Sequence, residues 1–249
     1  MEVVEHVAAL RREGRLLAEA AARTDLGVAV PTCPEWRMRD LVRHIGGVHR
    51  WAAAYVAGSR TQPMSEEEEA EIMAPPDDHA LIDWFREGHA HLIHELETAA
   101  PDVACWTFLA APSPRAFWAR RQAHETAIHR ADAESPGTTI TPFPPAFAAD
   151  GIDELLTCFI TRPGGRLRTD PPRILHVGAT DVAANWLVRI GPNQRVVSRQ
   201  AGDADCSVRG RACQLYLMLW NRRPPTGLQV RGDPALLDLW RHSVRVRWS

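Results

Sequence analysis

A proline-rich segment, Pro136–Pro145, divides this chain of 249 residues into two parts with different patterns of apolar residues. Proline fixes φ and removes a backbone donor, so a segment with several prolines does not continue a helix or a central strand. Before it, apolar residues recur with the helical period. After it, short strand-like runs alternate with turn residues. The sequence therefore predicts two domains, residues 1–137 and 146–249.

Four amphipathic helices account for the first part. Their predicted ranges are 3–23, 38–57, 78–99 and 114–134. Four helices of this length favour a four-helix bundle, and the long link between the second and third permits a crossover instead of a simple up-and-down order. That link, residues 58–76, carries an acidic run and is predicted to be a solvated loop or a short exposed helix.

The second part mixes helices with short strands. Helices are predicted near 147–160, 211–220 and 234–242, and strands near 174–177, 186–190, 195–198, 206–209 and 228–233. This order favours one antiparallel sheet with helices on one face. The predicted fold class is therefore α+β in two domains, a four-helix bundle followed by a smaller α+β domain with an antiparallel sheet.

Composition argues against several classes of function. A formal net charge of −2 argues against a general nucleic-acid surface. No apolar run approaches the roughly 20 residues that a membrane span needs. The acidic start, Met1–Glu5, lacks the pattern of a signal peptide, so the expected compartment is the cytoplasm. Five scattered cysteines without a CxxC pair predict free thiols instead of a disulfide framework or a cysteine zinc site.

The fourth helix carries the most informative pair of side chains. Glu125 and His129 are four residues apart, so they stack on one helical face. His44 falls on the apolar seam of the second helix, whereas His49 lies about 140° further round that helix. Two imidazoles and a carboxylate from two helices form a zinc ligand set with an open fourth position. From spacing alone, a core histidine beside a solvated Glu–His pair is the competing interpretation.

Several motifs resemble the mycothiol-dependent maleylpyruvate isomerase family. They are Pro31–Trp36 (PTCPEW) with the following Asp40–His44, Ala123–Asp132 in the fourth helix, and Leu217–Arg223 with Val230–Pro234 near the C-terminus. The resemblance implies a DinB-like metal-binding bundle followed by a sterol-carrier-like domain. All 29 basic residues are arginine, which fits the GC-rich actinobacterial genomes in which mycothiol occurs.

This resemblance also implies a set of functional residues. His44, Glu125 and His129 would hold a divalent metal, most often zinc, and mycothiol would be the thiol cosubstrate. The metal would favour the thiolate form of mycothiol, which attacks a small electrophilic substrate. Arg222 and Arg121 are the candidate catalytic residues, because arginine suits the clamping of an anionic substrate.

Three functions stay open at this point. The leading hypothesis is a mycothiol-dependent transferase or a maleylpyruvate-type cis–trans isomerase. A metal-dependent hydrolase that activates water is the nearest alternative. The third is a metal-binding or ligand-binding module without catalysis, whose second domain holds an apolar ligand. The physiological substrate, the identity of the metal and the oligomeric state do not follow from the sequence.

Overall fold

The computed structural model describes residues 1–137 and 139–244. These fall into two compact units that divide between Thr141 and Pro142. The division falls inside the proline-rich segment. All five cysteines are free thiols. Among the helices of the described residues, none combines the length and apolarity that a membrane crossing requires.

Four long helices form the first unit. They are α1 (Val3–Ala22), α2 (Met38–Ala57), α4 (Leu81–Thr98) and α5 (Pro114–Glu134), and the short α3 (Glu66–Met73) lies in the acidic link. Both α1 and α2 pack against α4 and α5. Helices α1 and α2 therefore lie diagonally opposite each other, as do α4 and α5, whereas the consecutive long helices α2 and α4 are neighbours. The bundle does not follow a simple up-and-down order.

A short hairpin precedes α2, in the segment that carries the PTCPEW motif. Its strands, β1 (Ala29–Val30) and β2 (Cys33–Arg37), pair antiparallel. Pro34 is tolerated because β2 has a partner on one side only among the described strands. The backbone N–H of Met38 donates to the Val28 carbonyl, so the hairpin is attached directly to the first turn of α2.

Helix α5 is buried over most of its length, including four of its charged residues, Arg121, Glu125, Arg130 and Asp132. Burying an unpaired charge is costly, so each charge needs an internal partner. Arg130 has several, since its Nε donates to Glu13 of α1 at 2.7 Å and its Nη1 donates to Glu134 and to the Thr141 carbonyl, each at 2.7 Å. This network ties α5 to α1 and to the segment that follows α5.

Two adjacent glycines in α2 allow other elements to approach closely. A Cβ on Gly46 would lie 2.2 Å from the ring of Trp84 in α4, inside any permitted contact distance. A Cβ on Gly47 would lie 3.1 Å from the Cβ of Met73, at the end of the short helix α3, which has no buried residue and can shift by a few tenths of an ångström. Gly46 is thus required by the α2–α4 packing, whereas the space beside Gly47 can adjust.

This difference predicts opposite outcomes for two alanine substitutions. Gly46→Ala is expected to lower the unfolding free energy by about 1–3 kcal/mol, because overpacking outweighs the gain in helix propensity. Gly47→Ala is expected to be neutral or stabilising by up to about 1 kcal/mol, since Met73 can move. Urea denaturation of both variants measures the difference, and equal losses would contradict this account of the packing.

The second unit has a five-stranded sheet with helices. Its elements are α6 (Pro145–Glu154), a π-helical turn (Leu155–Phe159), β3 (Arg173–Ala179), β4 (Asn185–Ile190), β5 (Arg195–Ser198), β6 (Cys206–Gly210), α7 (Ala212–Leu219), β7 (Gln229–Gly232) and α8 (Ala235–Ser243). The strand order is β5-β4-β3-β6-β7, and α7 packs on β3 and β6 with α6 against it. The predicted α+β class is confirmed.

One strand pairing differs from the predicted antiparallel sheet. Strands β3 and β6 pair in parallel, with His176 opposite Ser207, whereas the other pairings are antiparallel. The connection after β5 returns along the sheet and adds β6 beside β3 instead of extending the meander. A parallel pair follows from that return, and a strand's own sequence does not encode it.

Candidate metal centre

The three side chains singled out in the sequence lie together between α2 and α5. His44 Nε2 is 3.4 Å from Glu125 Oε1, and His129 Nε2 is 3.2 Å from the same oxygen. One donor atom from each residue lies within 4.8 Å of the other two. The side chain of His44 is 16% exposed, compared with 4% for Glu125 and 8% for His129, so the cluster is reached from the His44 side.

His49 has a different environment from the one predicted. It was placed away from the buried seam, but it is fully buried. Its Nε2 hydrogen-bonds Thr126 Oγ1 at 2.8 Å, and its ring lies 5.4 Å from those of Phe85 and His89. Because α2 packs against both α4 and α5, the helix has two covered faces. His49 still lies outside the cluster of donor atoms, as expected from its angular distance from His44 round the helix.

Asp132 is a buried partner of the cluster that sequence reasoning missed. Its Oδ2 accepts a hydrogen bond from His129 Nδ1 at 2.9 Å. Its Oδ1 accepts from Thr32 Oγ1 at 2.6 Å, and Cys33 Sγ lies 3.5 Å from Oδ2. The only available signal was the i, i+3 spacing of His129 and Asp132. Nothing local connects Asp132 with the hairpin about 100 residues earlier.

Trp36, in the hairpin strand β2, covers two of the three residues. Its ring centroid is 4.9 Å from that of His44 and 5.6 Å from that of His129, and it stacks on His129 at an interplanar angle of 24°. The motif that precedes α2 thus supplies an aromatic wall. Such a wall restricts the rotation of both imidazoles and excludes water from that side of the cluster.

The two arginines predicted to be catalytic lie in different units. Arg121 is one turn before Glu125 in α5, is 1% exposed, and its Nη2 donates to Glu125 Oε2 at 3.1 Å. Arg222 belongs to the second unit, follows α7, and its Nη1 donates to the Trp220 carbonyl at 2.9 Å.

Burial and neighbouring charges set the protonation states of the cluster. Burial alone would raise the pKa of Glu125, but hydrogen bonds from His129 and His44, with the charges of His129 and Arg121, hold that pKa well below its usual range. Burial also opposes the charge of His129, yet Asp132 and Glu125 outweigh it and raise the pKa to about 9. Burial lowers the pKa of His44.

The donor set suits a divalent ion of the zinc type. Zinc ligands at about 2.0–2.1 Å in a tetrahedron are separated by about 3.3 Å, close to the observed 3.4 and 3.2 Å around Glu125 Oε1. A histidine ligand usually donates its second ring N–H to a carboxylate, and His129 does so to Asp132. With three protein donors, a fourth position would stay open to a small ligand.

Comparisons with known proteins cover both units. Residues 7–134 match the family described as mycothiol maleylpyruvate isomerase (MDMPI) N-terminal domain. Residues 146–239 match the MDMPI C-terminal domain. No curated protein matches the chain.

Two solved structures resemble the chain over 92% of its length and 93% of theirs. One is the crystal structure of the mycothiol-dependent maleylpyruvate isomerase, at 13% identity and a TM-score of 0.66. The other is a histidine-to-alanine mutant of such an isomerase, at 14% identity and a TM-score of 0.67. At these identities the likeness concerns the fold. The two family matches, at residues 7–134 and 146–239, show that this chain belongs to the mycothiol maleylpyruvate isomerase family.

Proposed function

We propose that this protein is a metal-dependent enzyme that activates mycothiol for attack on a small electrophilic substrate. The observation that carries the proposal is the buried cluster of His44, Glu125 and His129, whose donor atoms lie within 4.8 Å of one another. Membership of this family supplies the thiol, since solved structures with this fold are named mycothiol-dependent maleylpyruvate isomerases.

In this proposal each buried residue has a separate task. His44 and His129 offer imidazole nitrogens, and Glu125 offers an ionised carboxylate. A zinc ion held there would favour the thiolate form of a bound thiol at neutral pH. Arg121 is fully buried against Glu125, so we assign it a positioning role that keeps this carboxylate ionised and oriented. Arg222 stays our candidate for binding the carboxylate of an anionic substrate.

Cis–trans isomerisation is the reaction we favour. The thiolate sulfur adds to one carbon of a conjugated cis double bond, and the electron pair moves onto the adjacent carbonyl group as an enolate. The former double bond is then single and rotates. Collapse of the enolate expels the thiolate and restores the double bond as trans, so the thiol is regenerated. With an electrophile that carries a leaving group, the same attack would give a stable S-conjugate, which is the transferase alternative.

A single set of incubations tests the proposal. Zinc-loaded protein is mixed with maleylpyruvate and either mycothiol or S-methyl mycothiol, and the cis and trans products are separated. We expect the trans isomer with mycothiol only. In the cobalt-substituted protein, mycothiol but not its S-methyl analogue should produce a sulfur-to-cobalt charge-transfer absorption.

Other results would favour the competing functions. Ester or amide hydrolysis without any thiol would favour the metal-dependent hydrolase. Metal binding without turnover of maleylpyruvate or of a panel of epoxides and conjugated carbonyl compounds would favour a binding module. S-conjugates without isomerisation would keep thiol activation and replace the isomerase by a transferase.

A further inference from the structure

Asp132 is fully buried, and hydrogen-bond donors from two distant parts of the first unit converge on its carboxylate. His129, one turn earlier in α5, donates through Nδ1 to Oδ2 at 2.9 Å. Thr32, in the turn between β1 and β2, donates through Oγ1 to Oδ1 at 2.6 Å. The Cys33 thiol lies 3.5 Å from Oδ2. The carboxylate is therefore held on both oxygens and cannot rotate without breaking a bond.

This fixed carboxylate determines the orientation of His129. With Nδ1–H committed to Asp132, the other ring nitrogen, Nε2, faces Glu125 Oε1 at 3.2 Å. In the neutral ring, an acceptor at Nδ1 also selects the tautomer whose Nε2 lone pair is available to a cation. Trp36 of the same hairpin stacks on the His129 ring at 5.6 Å and limits its tilt.

We propose that Asp132 is a positioning residue for His129, and that Thr32 and Cys33 position Asp132, so that the β1–β2 hairpin sets the metal affinity of the site. The inference rests on the metal binding proposed above. A role of the hairpin in metal affinity gives a physical reason for the proline-containing motif, Pro31–Trp36, before α2. A rigid hairpin keeps the Thr32 hydroxyl, the Cys33 thiol and the Trp36 ring in place against α5.

Zinc affinity is the measurement that tests this role, determined by competition with a chromophoric chelator. Asp132→Ala is expected to weaken zinc binding about 10–100-fold, the effect of losing an outer carboxylate partner of a metal ligand. Asp132→Asn should recover part of that loss, because its carbonyl oxygen can still accept from His129 but carries no charge. Thr32→Val should weaken binding by less than about tenfold, since it removes one hydrogen bond to Asp132.

Thr126→Val is the matched control for Asp132→Ala. Thr126 lies in the same helix, is fully buried, and hydrogen-bonds a histidine that is outside the donor cluster, His49. We expect Thr126→Val to lower the midpoint of urea unfolding, because it leaves the buried His49 without this hydrogen bond, and to leave zinc affinity unchanged. Urea denaturation in the presence of chelator compares the stabilities of both variants.

The outcomes separate this inference from the proposed function. Zinc binding by Asp132→Ala with wild-type affinity, or equal losses of affinity in Asp132→Ala and Thr126→Val, would overturn the positioning role and leave the metal site standing. Absence of zinc binding in the wild-type protein would overturn both proposals. Losses of zinc affinity that decrease in the order Asp132→Ala, Asp132→Asn and Thr32→Val would support the hairpin's role.

Discussion

Replacing Glu125 with alanine is expected to lower the affinity for zinc by at least about 100-fold and to abolish thiol-dependent turnover. Loss of an outer partner already costs about 10–100-fold in metal affinity, and Glu125 is the central group of the cluster. Its Oε1 faces both His44 and His129. The substitution also removes the carboxylate to which Arg121 Nη2 donates, so the buried positive charge of Arg121 opposes a cation in addition to the loss of a ligand.

His44→Ala separates metal binding from folding better than Glu125→Ala does. The side chain of His44 is the most exposed of the three, so its truncation disturbs the core least. We expect the same loss of zinc with an almost unchanged unfolding free energy in the presence of chelator. Metal content after dialysis, measured by atomic emission, should fall from about one ion per chain to none.

His49→Ala provides the control for a general effect of removing a buried histidine. His49 lies in the same helix as His44, but it bonds Thr126 and is not one of the clustered donors. It is expected to retain zinc while losing stability, because its removal opens a cavity in the core. Wild-type zinc affinity in His44→Ala and Glu125→Ala would rule out this cluster as the metal site.

The helices of the bundle followed closely from the sequence, because each one has a buried face that imposes a period of 3.6 residues. Helix α2 occupies Met38–Ala57, the range that its apolar spacing predicted. The same logic placed Glu125 and His129 on one face of α5. The apolar spacing of α2 offered His44 as their partner, and the resemblance to a family made metal binding the favoured interpretation. The structure brings the three side chains together. Their role as ligands stays a prediction.

Contacts that depend on distant segments could not be predicted in the same way. Asp132 is separated from Thr32 by 100 positions, and no local period relates an aspartate in a helix to a threonine in a turn. The burial of His49 was missed because a single apolar seam was assumed for a helix that packs on two sides. The parallel pairing of β3 with β6 was missed since a strand's sequence does not specify its neighbour.

Glu13→Gln is expected to destabilise the first unit by about 3 kcal/mol, although Glu13 touches no proposed metal ligand. Its carboxylate is fully buried and accepts from Arg130 Nε at 2.7 Å, with a second contact from Arg12. The glutamine side chain is uncharged, so the buried guanidinium of Arg130 loses the negative charge that Glu13 supplied. Removing one member of a buried ion pair typically costs 3–5 kcal/mol, and Glu134 retains part of the compensation here.

Glu19→Gln in the same helix is the control, because Glu19 forms an exposed pair with Arg15 that is worth about 0.5 kcal/mol or less. Urea denaturation with chelator present compares the two variants, and equal small losses would contradict the importance of the buried network. Zinc held at the proposed site would favour the native state, so saturating zinc should raise the stability of Glu13→Gln as much as that of the wild type. The same addition should not stabilise His44→Ala, which distinguishes damage to the scaffold of α5 from damage to the site that it carries.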